Sequence, residues 1–151
     1  MIVLEGKEGL LANVGQDLGY GPWLRVTQER INQFAEATGD HQWIHVDVER
    51  AKTGPYGKTI AHGLLTLSML GVLSKEVFSF QGFKMGINYG YERVRFPSPV
   101  PVDSNLRLRA KLLSCEEVSS GSIQTVMELM VEVEGATKPA CVAQMMFRHV
   151  P

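Results

Sequence analysis

Three of the chain's four histidines, His41, His45 and His62, fall between residues 41 and 62, and Asp40 stands beside the first of them. A carboxylate and an imidazole of near-neutral pKa can grip one water between them and draw off its proton as its oxygen attacks. Asp40 and His45 are candidates for that pair. Their five-residue separation is wrong for neighbours on one strand face, so the segment has to loop for the two side chains to meet. Ala61-His62-Gly63 then opens a nearly unbroken apolar stretch. A helix starting there leaves its first N–H groups without internal partners, and a glycine lets an anionic oxygen come close to them. Gly63 N–H is therefore the candidate donor to a developing oxyanion.

Several elements must hold these residues. Thr27 is a suitable N-cap for a helix over residues 28–38, with Ile31, Phe34, Ala35 and Ala37 roughly on one face, and Gly39 ends it. A second helix is expected from about Ala61 to about Phe78. Its first half has almost no polar side, so other structure must enclose it. From residue 84 onward the apolar period changes to two. Leu106, Leu108, Ala110 and Leu112 alternate with Arg107, Arg109 and Lys111, and Ile123, Thr125, Met127, Leu129, Val131 and Val133 repeat the device. The intervening Ser-Ser-Gly at 119–121 is a hairpin signal. Keeping both apolar faces on one side puts Arg107 opposite Glu132 and Lys111 opposite Glu128. A last strand is expected around Ala140 to Val150. The pattern is α+β: a helix-led first half, then a long antiparallel sheet that needs an apolar helix to cover it.

Composition bounds the rest. At 151 residues the chain suits one domain, 1–151, with glycine- and proline-rich turns at 19–23, 52–59 and 96–102 but no linker or repeat. A net charge of −1 provides no field to gather nucleic acid or an acidic membrane surface. The apolar run from Ile60 to Leu73 is too short to span a bilayer. Glu5, Lys7 and Glu8 interrupt the region a secretory signal would need, and Cys115 and Cys141 have neither zinc-type nor disulfide-framework spacing. A reducing cytoplasm is the expected setting.

Residues 38–45, Thr-Gly-Asp-His-Gln-Trp-Ile-His, with Ala51 beyond, resemble the hydratase-2 motif of the MaoC-like dehydratase family. Phe34, Gly39, Asp40, Ile44 and His45 match that motif, whereas Gln42 and Trp43 stand where Asn and Pro are usual. The likeness continues through Ala61-His62-Gly63 and the Val-Arg-Phe-Pro-Ser-Pro-Val of 94–100, and is nearest to the nodulation protein N-like branch. It implies a hot-dog fold, a sheet wrapped around one central helix, and a homodimer formed edge to edge. It also implies an (R)-specific 2-enoyl-CoA hydratase. Asp40 and His45 would activate water, and Gly63 N–H would bind the enolate oxygen of an acyl-CoA or acyl-carrier thioester. No metal, nucleotide or flavin cofactor is expected.

Other readings stand beside this one. Gln42 takes the place of an asparagine that orients water or substrate, and offers the same amide on a longer stem. Trp43 and Tyr56 are candidates for the walls of an acyl pocket, or simply for core packing. His62 sits near the pocket mouth or makes a core hydrogen bond. His41 and His45, four apart, could share a metal with Asp40 or Asp47 if the segment were helical, although it follows a helix stop and lacks a HExxH pattern. Arg93, Arg95, Arg107 and Arg109 could meet CoA phosphates, although a solvated sheet face accounts for most of them, and none is assigned to CoA binding. Two alternatives to a hydratase remain, a non-catalytic acyl-thioester-binding protein and a thioesterase. The first would bind enoyl-CoA unchanged, and the second would release free CoA.

Overall fold

The computed structural model describes residues Met1–Pro151. In chain order the elements are β1 (Ile2–Glu5), α1 (Gly6–Ala12), β2 (Asp17–Tyr20), β3 (Leu24–Arg25), α2 (Gln28–Thr38), α3 (Trp43–Val46), α4 (Val48–Ala51), α5 (Gly63–Ser68), α6 (Leu70–Leu73), β4 (Phe78–Gln81), β5 (Met85–Arg95), β6 (Asn105–Glu117), β7 (Ile123–Val133) and β8 (Cys141–Val150). A six-stranded sheet runs β2-β6-β7-β8-β5, with β3 also paired to β6, and all its pairings are antiparallel.

The register agrees with the alternation. Arg107 lies opposite Glu132 and Lys111 opposite Glu128. The first of these pairs closes as an ion pair at 2.8 Å. Leu106, Leu108, Ala110, Leu112, Met127, Leu129 and Val131 face inward and are buried. Leu65 of α5, Leu70 and Leu73 of α6, and Met69 between the two helices meet them in one apolar cluster of 25 buried residues. The sheet is thus packed across a central helical segment, as the resemblance implied. None of the helices is long and apolar enough to cross a membrane.

That helical segment departs from expectation. It begins at Gly63 rather than Ala61, breaks between Ser68 and Leu70, and closes in a 3-10 turn at Ser74–Glu76. Phe78 belongs not to the helix but to β4, which pairs in parallel with β1. Nor is the segment fully enclosed within the chain, since Leu64 is 60% exposed and Val72 39% exposed. Strand β5 is an edge strand that pairs only with β8, and Met85, Ile87, Tyr89 and Tyr91 on it are exposed.

Candidate active site

The site begins where α2 stops. Thr27 Oγ1 accepts the Arg30 N–H at the start of that helix. At its end Gly39 turns left-handed, with φ 77°, and returns its N–H to the Ala35 carbonyl at 2.8 Å. This is a region glycine enters without steric penalty, and the turn throws Asp40 off the helix axis. Asp40 Oδ1 then accepts the Gln42 N–H at 3.3 Å. The single turn of α3 follows and carries His45 inward to 7% exposure.

Polar contacts to backbone fix His45. Its Nδ1 lies 2.7 Å from the Ile60 carbonyl. A carbonyl only accepts, so Nδ1 carries the proton and Nε2 keeps a free lone pair. Gln28 Nε2 donates to the His45 carbonyl at 2.8 Å, and the Gln28 amide oxygen accepts from the buried Thr59 hydroxyl. Ile60 N–H in turn donates to Ile44 O, and Ala61 N–H to Val100 O. Burial holds the His45 pKa below its ordinary value, partly offset by the bond to Ile60. A neutral ring with an open Nε2 is the form a general base needs.

His62 joins them from 17 residues further along the chain. Its ring stacks on that of His45, with centroids 3.9 Å apart and planes 25° apart, and touches Phe34 on α2 at 4.8 Å. Asp40, His45 and His62 present ligand-type atoms that all lie within 4.8 Å of one another. Three such groups are the usual number for a metal, though each of the two histidines already has one ring nitrogen committed to a backbone carbonyl. His41 takes no part, being exposed with Nε2 3.5 Å from Glu36 Oε1. The four-residue helical pairing of His41 with His45 does not form, because only Trp43–Val46 is helical there.

Beside the histidines lies a cavity of about 320 Å³, lined among others by His45, Tyr56, Gly63, Thr66, Phe96 and Ala140. Gly63 is the first residue of α5, and its N–H has no acceptor within the chain. A side chain at Gly63 would put its Cβ 3.1 Å from the Phe96 ring, so the residue must be small. Tyr56 stands in the wall and is half exposed. Trp43 does not line the cavity. It lies under the Arg50 guanidinium at 4.2 Å and against Gly54. Gln42 caps α3 through its backbone and leaves its side chain exposed. Thr66, Phe96 and Ala140 escaped the sequence reading as wall residues. For Thr66 the signal was there, since three residues on from Gly63 is the same helix face.

A buried imidazole meeting an exposed carboxylate next to a helix start, under a sheet packed on a central helical segment, is the arrangement of an acid–base enzyme. Residues 10–134 match the family described as MaoC like domain, and the chain belongs to that family. It is 48% identical over 150 residues to 3-hydroxyacyl-thioester dehydratase Z of Mycobacterium tuberculosis, covering 99% of each chain. It is 45% identical over 132 residues to nodulation protein N of Rhizobium meliloti, covering 86% of this chain and 82% of that one. The structure of a monoamine oxidase regulatory protein from Archaeoglobus fulgius superposes with a TM-score of 0.80 at 23% identity, covering 100% of this chain and 99% of that one.

Proposed function

We propose that the chain, acting as one domain, adds water reversibly to trans-2-enoyl thioesters to give (R)-3-hydroxyacyl thioesters. The observation that carries this reading is the meeting of Asp40 and His45 beside a cavity that also contains the unpartnered Gly63 N–H. The name of the mycobacterial relative, a 3-hydroxyacyl-thioester dehydratase, supports it at 48% identity. The handedness of the product is what the family resemblance implies.

Asp40 and the bare Nε2 of His45 accept hydrogen bonds from one water. As the water oxygen bonds to C3, the π electrons move toward the thioester carbonyl, and Gly63 N–H holds the enolate oxygen. The proton taken from water returns to C2, so hydroxyl and hydrogen are both accounted for. Dehydration runs the same steps backward. The reaction requires no metal, flavin or nucleotide; the CoA or carrier arm belongs to the substrate. Free thiols at Cys115 and Cys141 suit a reducing cytoplasm.

The assay follows loss of the conjugated enoyl absorbance across several chain lengths. Native protein should turn over, and Asp40→Asn and His45→Ala should each lose on the order of 10²- to 10⁴-fold in kcat while melting normally. An inert native protein, or full activity in both folded variants, would overturn the proposal.

The partner we propose is a second copy of the chain, joined along β5. Its backbone is unpaired on one side, and Met85, Ile87, Tyr89 and Tyr91 are exposed beside it. An open apolar edge of this length is an association surface. Light scattering should give twice the chain mass, and Ile87→Lys should lower it. A native mass of one chain would defeat the dimer.

A further inference from the structure

His62 does more than fill space. It is 3% exposed, its Nε2 lies 3.0 Å from the Asp40 carbonyl, and its ring covers one face of His45. Its own carbonyl accepts two N–H groups, from Leu65 at 3.0 Å and Thr66 at 3.2 Å. That carbonyl shares a peptide plane with Gly63 N–H. In a trans peptide the two point in opposite directions, so pinning the carbonyl into α5 fixes where the N–H points. One residue therefore touches the backbone of the aspartate, the ring of the general base and the peptide that carries the oxyanion donor.

We infer that His62 is a positioning residue, its imidazole holding the Asp40 loop and the His45 ring in one fixed geometry beside the Gly63 peptide, which its backbone carbonyl anchors in α5. This rests on the hydratase reading of the site.

A second observation separates this role from packing. Because the Asp40 carbonyl can only accept, His62 Nε2 carries its proton, and Nδ1 is left as a bare acceptor, buried with no partner. An unpaired buried acceptor costs stability that a phenyl ring at the same place would not. A site chosen for packing alone would do better with Phe. What the imidazole offers over Phe is one N–H aimed at the Asp40 backbone.

Imidazole nitrogen NMR on the native protein tests the geometry without reference to activity. His62 should read as the Nε2–H tautomer and His45 as Nδ1–H; an Nδ1–H tautomer at His62 overturns the inference, because it cannot donate to Asp40. Kinetics test the consequence. Loosening a catalytic geometry by about 1 Å costs up to about 100-fold, so His62→Ala and His62→Phe should each lose about 10- to 100-fold in kcat with KM within about 3-fold. His62→Gln, which keeps an N–H donor, should recover a substantial part of the loss. Folded Phe and Ala variants with native kcat, a loss confined to KM, or no recovery by Gln would each overturn it. If native protein does not hydrate enoyl thioesters, the functional reading fails, and the tautomers still decide whether the clamp exists.

Discussion

His45 and His149 are both buried, and burial pushes the pKa of each below the ordinary imidazole value. Everything else about them differs. His45 sits at the wall of a cavity, with Asp40 within reach and its Nδ1 proton committed to a backbone carbonyl. His149 is completely enclosed, its Nε2 2.9 Å from Thr125 Oγ1, with Phe80 at 4.4 Å and Phe83 at 4.9 Å. Its Nδ1 has no partner. Desolvation alone therefore does not mark a working histidine. An open nitrogen, a charged neighbour and space for a substrate do, and only the first site has all three.

The contrast predicts opposite outcomes for the same kind of substitution. His45→Ala should cost on the order of 10²- to 10⁴-fold in kcat, with Asp40→Asn the largest effect expected in the molecule. His149→Gln should leave kcat close to native and act on stability alone. If His149→Gln abolished turnover in a folded protein, the division between the two regions would be wrong.

Gly63 sharpens the division from the backbone side. Gly63→Ala retains the N–H but drives a methyl to 3.1 Å from the Phe96 ring, so either the ring or the helix start must give. Misplacing an oxyanion donor costs up to on the order of 10²-fold in kcat. Activity should fall in a protein that is still fully folded at the assay temperature. Adding Phe96→Ala to that variant should restore part of the rate, because the two changes share one contact. Full activity in Gly63→Ala alone would mean that the Phe96 ring yields to the methyl and that this contact does not set where the Gly63 N–H points.

The two regions also differ in how far the sequence discloses them. The β6–β7 pairing was legible because alternation and the hairpin turn leave one register that keeps both apolar faces inward, and Arg107–Glu132 falls out of it. Helix α2 was legible from Thr27 and Gly39, whose side chain and backbone freedom act locally. The break between α5 and α6 was not, because a run that is apolar all round gives no periodicity to interrupt. Four-residue β4 pairs in parallel with β1, 76 residues away by register (Ile2 with Phe78), and local pattern does not report on such a partner. In the site, residue types and spacing pointed to Asp40, His45 and Gly63. They did not reveal the ring stack of His62 on His45, which depends on how Ile60 and Ala61 are pinned to α3 and Val100. Trp43 was a candidate for a pocket wall or for core packing; it is half-buried, with its ring between Arg50 and Gly54.

His149 supplies the smallest and most separable effect. Burial lowers its pKa to about 4 in the folded chain, against 6.5 for the free side chain. Between those values the unfolded chain binds a proton that the folded chain refuses. Unfolding is therefore favoured as pH falls, by about 1.4 kcal/mol for each pH unit in that window, and the slope ends once the folded ring also protonates. Above pH 6.5 both states are neutral and the residue contributes no pH dependence. Urea melts taken in steps from pH 7 to pH 4.5 should show this slope in the native protein and a reduced one in His149→Gln, whose amide does not titrate. Depressed His45 adds a slope of the same sign, so the decisive quantity is the difference between the two proteins rather than the native slope alone. Equal slopes in both would mean that His149 is reached by water or protons in the folded state, and the closed half of the comparison would fail.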